Sequence, residues 1–379
     1  MVLKMISRRS LLQSLFFGPR GTPSLVVVFL RGGADGLNLV VPKEEKDYYF
    51  YRPTLALRET LPLDARFGFH PAFKTLHPYF TDGRLAVVHA VGSEDDTRSH
   101  FEAQDLMERA GRPDSGVAGG WLARHLRSRT GETGALAAVS LTSTMPESLR
   151  GAPSACAMES IDQVALPGAS PAFTQALRVL YQADASAVGR AGQVTFRLLE
   201  KINAARDAKP SPEAYPVGEL GRSLREVARL LKADVGLEVA CVDYGGWDTH
   251  FVQAAGFTSQ VKQLSDALAA FGADLGDRLD RTMVVVLTEF GRRAYENGTF
   301  GTDHGRASVM FAMGGPIRGG RVITEWPGLG TSALEGPGDL PVTIDYRDIL
   351  AELLSRGMGN PAMDQVFPGH RPKFRGLIG

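Results

Sequence analysis

Six short apolar runs recur along the chain, each bounded by polar or turn-forming residues: Leu25 to Leu30, Leu85 to Val91, Leu136 to Leu141, Leu237 to Val242, Met283 to Leu287 and Val309 to Met313. Continuous runs of this length read as strands buried on both faces, as in a parallel sheet. Between them the period changes. Val261, Leu264, Leu268, Phe271, Leu275 and Leu279 fall three and four positions apart and trace one apolar helix face, as do Leu220, Leu224, Val227 and Leu231. Strands alternating with helices predict an α/β fold, a three-layer α/β/α arrangement around a mostly parallel central sheet. Residues 24–379 read as one domain. The polar, helical stretch 151–216 reads as an inserted helical cap or as helices on one sheet face, and the Gly- and Pro-rich stretch 314–338 as surface loops.

Charge and composition narrow the picture. Lys+Arg and Asp+Glu both number 42, so the formal net charge is zero. Such a balance argues against nucleic acid as a partner, because a polyanion needs a basic face. No run reaches the roughly 18 to 20 apolar residues of a membrane-spanning helix, so no integral membrane segment is expected. The two cysteines, Cys156 and Cys241, do not make a disulfide framework, and Cys241 reads as a small core residue. Near the N-terminus Ser7-Arg8-Arg9-Ser10-Leu11-Leu12 resembles a twin-arginine export motif, but the apolar region behind it is short and broken by Gly18-Pro19-Arg20. Residues 1–23 are therefore read as a degenerate signal segment. A working signal implies export to the periplasm; otherwise the chain stays in the cytoplasm.

Sites in sheets of this kind form beyond the C-terminal strand ends, and the acids and imidazoles of this chain gather there. After the first run comes Gly32-Gly33-Ala34-Asp35-Gly36, with Asp35 placed to bind a cation. After the Leu237 run come Asp248 and His250, two apart and so on one side of an extended segment. Carboxylate and imidazole together suit zinc or manganese. Glu289 follows the Met283 run, and Asp303-His304 precedes the Val309 run. Each cluster alone is also an ordinary turn, cap or ion pair; four at strand ends point to a metal site. After the Leu85 run, Thr97-Arg98-Ser99-His100-Phe101-Glu102 opens a helix. Ser99 is either an N-cap in a capping box with Glu102, or a hydroxyl nucleophile at a helix N-terminus that steadies an anion.

Taken together, LVVVFLRGGADGLNLVVP (25–42), RSHFEAQD (98–105), VDYGGWDTH (242–250), EFGR (289–292) and GTDHG (301–305) resemble the domain-of-unknown-function 1501 family, which is grouped with the alkaline phosphatase and sulfatase superfamily. The resemblance runs from about Leu25 to Arg356. It implies an alkaline phosphatase-like fold and metal-ligand roles for Asp35, Asp248, His250, Glu289, Asp303 and His304. It implies a nucleophile at Ser99, with Thr97 behind it. Two departures stand out. One residue separates Asp248 from His250 where the phosphatases have three, and Phe290 stands where a ligand is expected, leaving Asp303 or His100 to replace it. The expected activity is metal-dependent hydrolysis of phosphate or sulfate esters, by Ser99 or by a metal-activated water, with Arg292, Arg306 or Arg31 holding the anion. Zinc or manganese is favoured over calcium or magnesium, and the substrate is a small anionic ester or a glycan-type molecule. The alternative is a non-catalytic, metal-stabilised binding or surface-assembly protein on the same fold.

Overall fold

The computed structural model describes residues 23–111, 116–129, 136–164, 170–207 and 211–379; the twin-arginine-like segment lies outside them. A nine-stranded sheet divides the molecule. Its central strand, Ser24–Leu30, runs parallel to Val239–Tyr244 on one side and to Thr282–Thr288 on the other. Beyond Val239–Tyr244 lie Ala138–Ser140 and Ala155–Ala157, also parallel. Beyond Thr282–Thr288 lies Ser308–Gly314, antiparallel to both neighbours, and then Leu85–Gly92, which pairs in parallel with Arg321–Ile323 and Ile344–Asp345.

Side chains alternate across the sheet. Val26, Val28 and Leu30 enter one core, together with helices Glu219–Lys232 and Gln253–Leu275; Leu25, Val27 and Phe29 enter the other, with helices His100–Arg109, Trp121–Ser128 and Tyr346–Glu352. All seven residues of Ser24–Leu30 are buried, which accounts for the uninterrupted apolar run. The expected helix faces are buried too: Leu220, Leu224, Val227 and Leu231 in one helix, and Val261, Leu264, Leu268, Phe271 and Leu275 in the other. The fold is therefore a three-layer α/β/α arrangement around a mostly parallel sheet.

Two stretches differ from expectation. Residues 314–338 are not all loop, because Arg321–Ile323 forms an edge strand. Residues 151–216 begin with the strand Ala155–Ala157, and then give helices Pro171–Ala183 and Ala187–Asp207. The second helix sets Ile202 and Ala205 into the core shared with the sheet. Both strands are three residues long and lie at or near a sheet edge, too short for a periodic signal. Cys156 and Cys241 are free thiols. Among the described residues no helix is long and apolar enough to cross a membrane.

Candidate metal centre

One edge of the sheet collects the chemistry. Ser24–Leu30, Val239–Tyr244 and Thr282–Thr288 end there, delivering Gly32, Asp248 and Glu289. Leu85–Gly92 ends there too, and leads through a loop to His100, the first residue of its helix. The reversed strand Ser308–Gly314 begins at that edge, so the hairpin before it, Arg292–Glu296 with Thr302–His304, reaches the same place. Gly32 packs closely against the neighbouring loop. Its φ is +119°, and a Cβ there would meet the Asp248 amide nitrogen at 2.6 Å. Its own amide donates to Glu289 Oε1 at 2.8 Å.

Three imidazoles converge on the Asp248 carboxylate. His304 Nε2 lies 3.1 Å and His250 Nε2 3.0 Å from Asp248 Oδ1, and the two nitrogens lie 2.9 Å apart. His100 Nε2 is buried with no hydrogen-bond partner, 3.5 Å from Asp248 Oδ2. Donor atoms of His100, Asp248 and His304 all fall within 4.8 Å of one another. Each ring is engaged from behind through Nδ1. His100 donates to Glu289 Oε1 at 2.8 Å, His304 donates to the Arg98 carbonyl at 2.9 Å, and His250 faces Asp303 Oδ1 at 3.5 Å. An N–H committed at Nδ1 leaves a lone pair at Nε2 in the neutral ring. Arg292 Nη1 reaches His250 Nε2 at 3.5 Å, but His100 Nε2 has no hydrogen-bond partner, and inward Nε2 atoms beside a carboxylate, with Nδ1 engaged behind them, are disposed as those of metal-binding histidines are. Separations near 3 Å suit neighbouring ligands whose bonds are about 2.0–2.2 Å. The residues therefore fit a divalent ion.

The electrostatics agree in part. Burial by itself would raise the Asp248 carboxyl, but the hydrogen bond and the charge of Arg292 hold it down at about 2. The hydrogen bond from His100 opposes burial and keeps Glu289 low, while Asn297 and Arg293 keep Asp303 low. Burial pushes His304 down, toward the neutral ring a ligand needs. His100 moves the other way, raised first by its bond to Glu289. A cation at Nε2 would displace that proton, because ligand binding and protonation compete for one lone pair.

The remaining expected residues have other partners. Asp35 is buried, and its Oδ2 receives Arg52 Nη1 and Gln253 Nε2, each at 2.6 Å; a guanidinium stands where a cation was expected. Gln253 in turn accepts from Thr249 and Thr302, so Asp35 stands one layer behind the histidines. Arg292, 1% exposed, gives Nε to the Gly33 carbonyl, Nη1 to the Thr302 carbonyl, and Nη2 to Gly32, Trp247 and Asp248. Its donors are spent on the protein, which corrects the expectation that it clamps an anion. Arg31 pairs with Glu108 and Asp243, and Arg306 with Glu335, so they too are committed. Ser99 occupies the N-cap position without a side-chain cap hydrogen bond. Thr97 Oγ1 donates to Asp95 and accepts from the Ser99 amide, closing a local turn. Phe290 packs its ring 4.9 Å from those of His100 and His304. Sequence reading undervalued His100, whose place in an apparent capping box hid it, and gave no sign of Arg52, Gln104 or Asn297.

Solved structures similar to the chain include the alkaline phosphatase from the Antarctic bacterium TAB5, with 12% identity over 80% of this chain and 95% of that one and a TM-score of 0.36. The PsFucS1 sulfatase from Pseudoalteromonas sp. is 13% identical over 90% and 68%, with a TM-score of 0.37. Ps i-CgsB, solved with k-i-k-neocarrahexaose, is 9% identical over 92% and 75%, with a TM-score of 0.44. No curated protein matches the chain. The model of one family, described as a protein of unknown function and numbered 1501, matches residues 22–361. The chain belongs to the domain-of-unknown-function 1501 family.

Proposed function

We propose that the chain is a metal-dependent hydrolase of phosphate or sulfate esters, in which His100, Asp248, His250 and His304 hold one divalent cation. The observation that carries this reading is the convergence of three imidazole Nε2 atoms, each with Nδ1 engaged behind it, on one carboxylate at the sheet edge. A nitrogen-rich donor set favours zinc or manganese over calcium or magnesium. Such an ion, when bound, activates a water or hydroxyl and polarises the ester oxygens. The protein's own part is to orient. Arg292 keeps Asp248 ionised, while Glu289, Asp303 and the Arg98 carbonyl fix the three rings. Ser99, next to His100 and free of a cap bond, is the candidate nucleophile, and Thr97 is set aside by its turn. The likeness of five motifs to a family grouped with the alkaline phosphatase and sulfatase superfamily supports an anionic ester as substrate, either small or carried on a glycan. If the N-terminal segment works as a signal, this activity belongs to the periplasm.

A second reading, a metal-stabilised binding protein without catalysis, draws on the Asp35–Arg52 pair and on Phe290. Asp35 is paired with Arg52 and Phe290 is a ring packed on His100, at positions where the family resemblance implies metal ligands. Metal analysis and a panel of chromogenic phosphate and sulfate esters separate the two. The hydrolase reading expects about one zinc or manganese per chain, lost in Asp248→Asn and His304→Ala, and turnover of at least one ester. Ser99→Ala then loses turnover by at least about two orders of magnitude with an unchanged melting temperature if Ser99 is the nucleophile; if turnover persists, water takes that role. Stoichiometric metal without turnover favours the binding protein, and a chain that takes up no metal refutes both.

A further inference from the structure

Phe251, Val252 and Phe300 stand 73%, 70% and 57% exposed. Single exposed apolar residues are commonplace, but these three share two loops locked to each other beside the histidines. The Val252 amide donates to the Thr299 carbonyl at 3.0 Å and the Gln253 amide to the Phe300 carbonyl at 2.8 Å. Asn297 and Thr299 side chains both donate to the His250 carbonyl. Gly301 lies bare against that backbone, where a Cβ would meet His250 C at 2.3 Å. The Phe251 and His250 rings lie 6.5 Å apart.

Backbone strain sets the lip apart as well. Val252 has φ +43° and Phe300 φ +59°. A non-glycine residue is disfavoured in the left-handed region, and a β-branched one is a true outlier there. Conformation and hydration both oppose turning these side chains outward, so the arrangement points to a use in binding. Across the cluster Phe101, 89% exposed, follows His100. Around this rim the arginines are already paired, Arg98 with Asp339, Arg293 with Asp303 and Arg306 with Glu335. Charge therefore does little to hold the part of the substrate that lies outside the metal centre.

We propose that Phe251, Val252 and Phe300 form an apolar lip that receives the alcohol portion of the ester, so that the substrate is an ester of an aromatic or similarly apolar alcohol. This rests on the hydrolase reading. The test uses the full chain loaded with zinc and two non-hydrolysable probes with the same head group, phenylphosphonate and methylphosphonate, titrated by calorimetry. Covering about 60 Å² of ring against the lip gives a roughly tenfold tighter Kd for the phenyl compound. The double variant Phe251→Ser/Phe300→Ser, checked to retain its zinc, is expected to bind both probes alike. Equal affinities in the unaltered protein, or a preference that survives the double variant, would overturn the lip and leave the hydrolase reading standing. If neither phosphonate binds the zinc-loaded chain, the hydrolase reading falls and the lip with it.

Discussion

Arg292 is the residue on which the centre depends most. Its guanidinium is buried and joins the carbonyls of Gly32, Gly33, Trp247 and Thr302 to the carboxylate of Asp248. Removing it strands a carboxylate and four carbonyls together. We expect Arg292→Ala to cost about 3–5 kcal/mol, seen as a fall of roughly several degrees in the melting temperature, with weaker zinc binding. Arg292→Lys should recover only part of this, since an ammonium cannot imitate the planar fork. An Arg292→Ala protein that melts with the unaltered chain would refute the assignment. None of this was legible in the sequence, where Arg292 looked like a free cation at a strand end. Asp35 is ambiguous for a related reason. A carboxylate after a first strand reads the same whether its partner is a metal or a guanidinium seventeen positions away. His100 was obscured because a helix start with Ser99 and Glu102 satisfies a capping pattern, yet no cap bond forms. Asp248, His250 and His304 were legible because they stand at strand ends, where topology brings distant residues together.

At the scale of elements, the turn after the first strand sets how closely two loops approach. Gly32 reaches the 247–248 backbone only because it has no side chain and takes φ +119°. Gly32→Ala is expected to lose at least about 1 kcal/mol from conformation alone. It should also push Asp248 out of register with the histidines, so that zinc affinity falls more than stability does. Chemical unfolding and zinc titration of the same variant check this; an alanine that binds zinc normally would show that the approach can relax. The long strands and the two large helices were legible because their periods are those of buried elements. The Arg292–Glu296 and Thr302–His304 hairpin was not, because its residues are polar, partly exposed and joined by an irregular pairing. The three-residue strands Ala155–Ala157 and Arg321–Ile323 escaped for want of length.

For the molecule as a whole, three histidines outside the candidate centre link stability to acid. Burial lowers His70 and His89 to about 4 and His125 to about 3, against about 6.5 in an unfolded chain. Below pH 6.5 the unfolded state takes up protons that the folded state refuses, so stability falls as pH falls. The loss continues through each folded value and then levels off. Each histidine contributes up to about 1.4 kcal/mol per pH unit in that window. Unfolding measured at pH 7, 5.5 and 4.5 should therefore show a steep decline before most carboxylates titrate, made shallower by His125→Gln; a flat profile above pH 5 would contradict it. The central strand carries a consequence of a different kind. Ser24–Leu30 finds its neighbours only in Val239–Tyr244 and Thr282–Thr288, and its first hydrogen bond to Leu237 spans 213 positions. At about 5–20 residues per second, a ribosome needs roughly ten to fifty seconds to supply those partners. For that interval this apolar segment of the nascent chain has no edge to join, so the middle of the sheet can close only once the strand Thr282–Thr288 has been made.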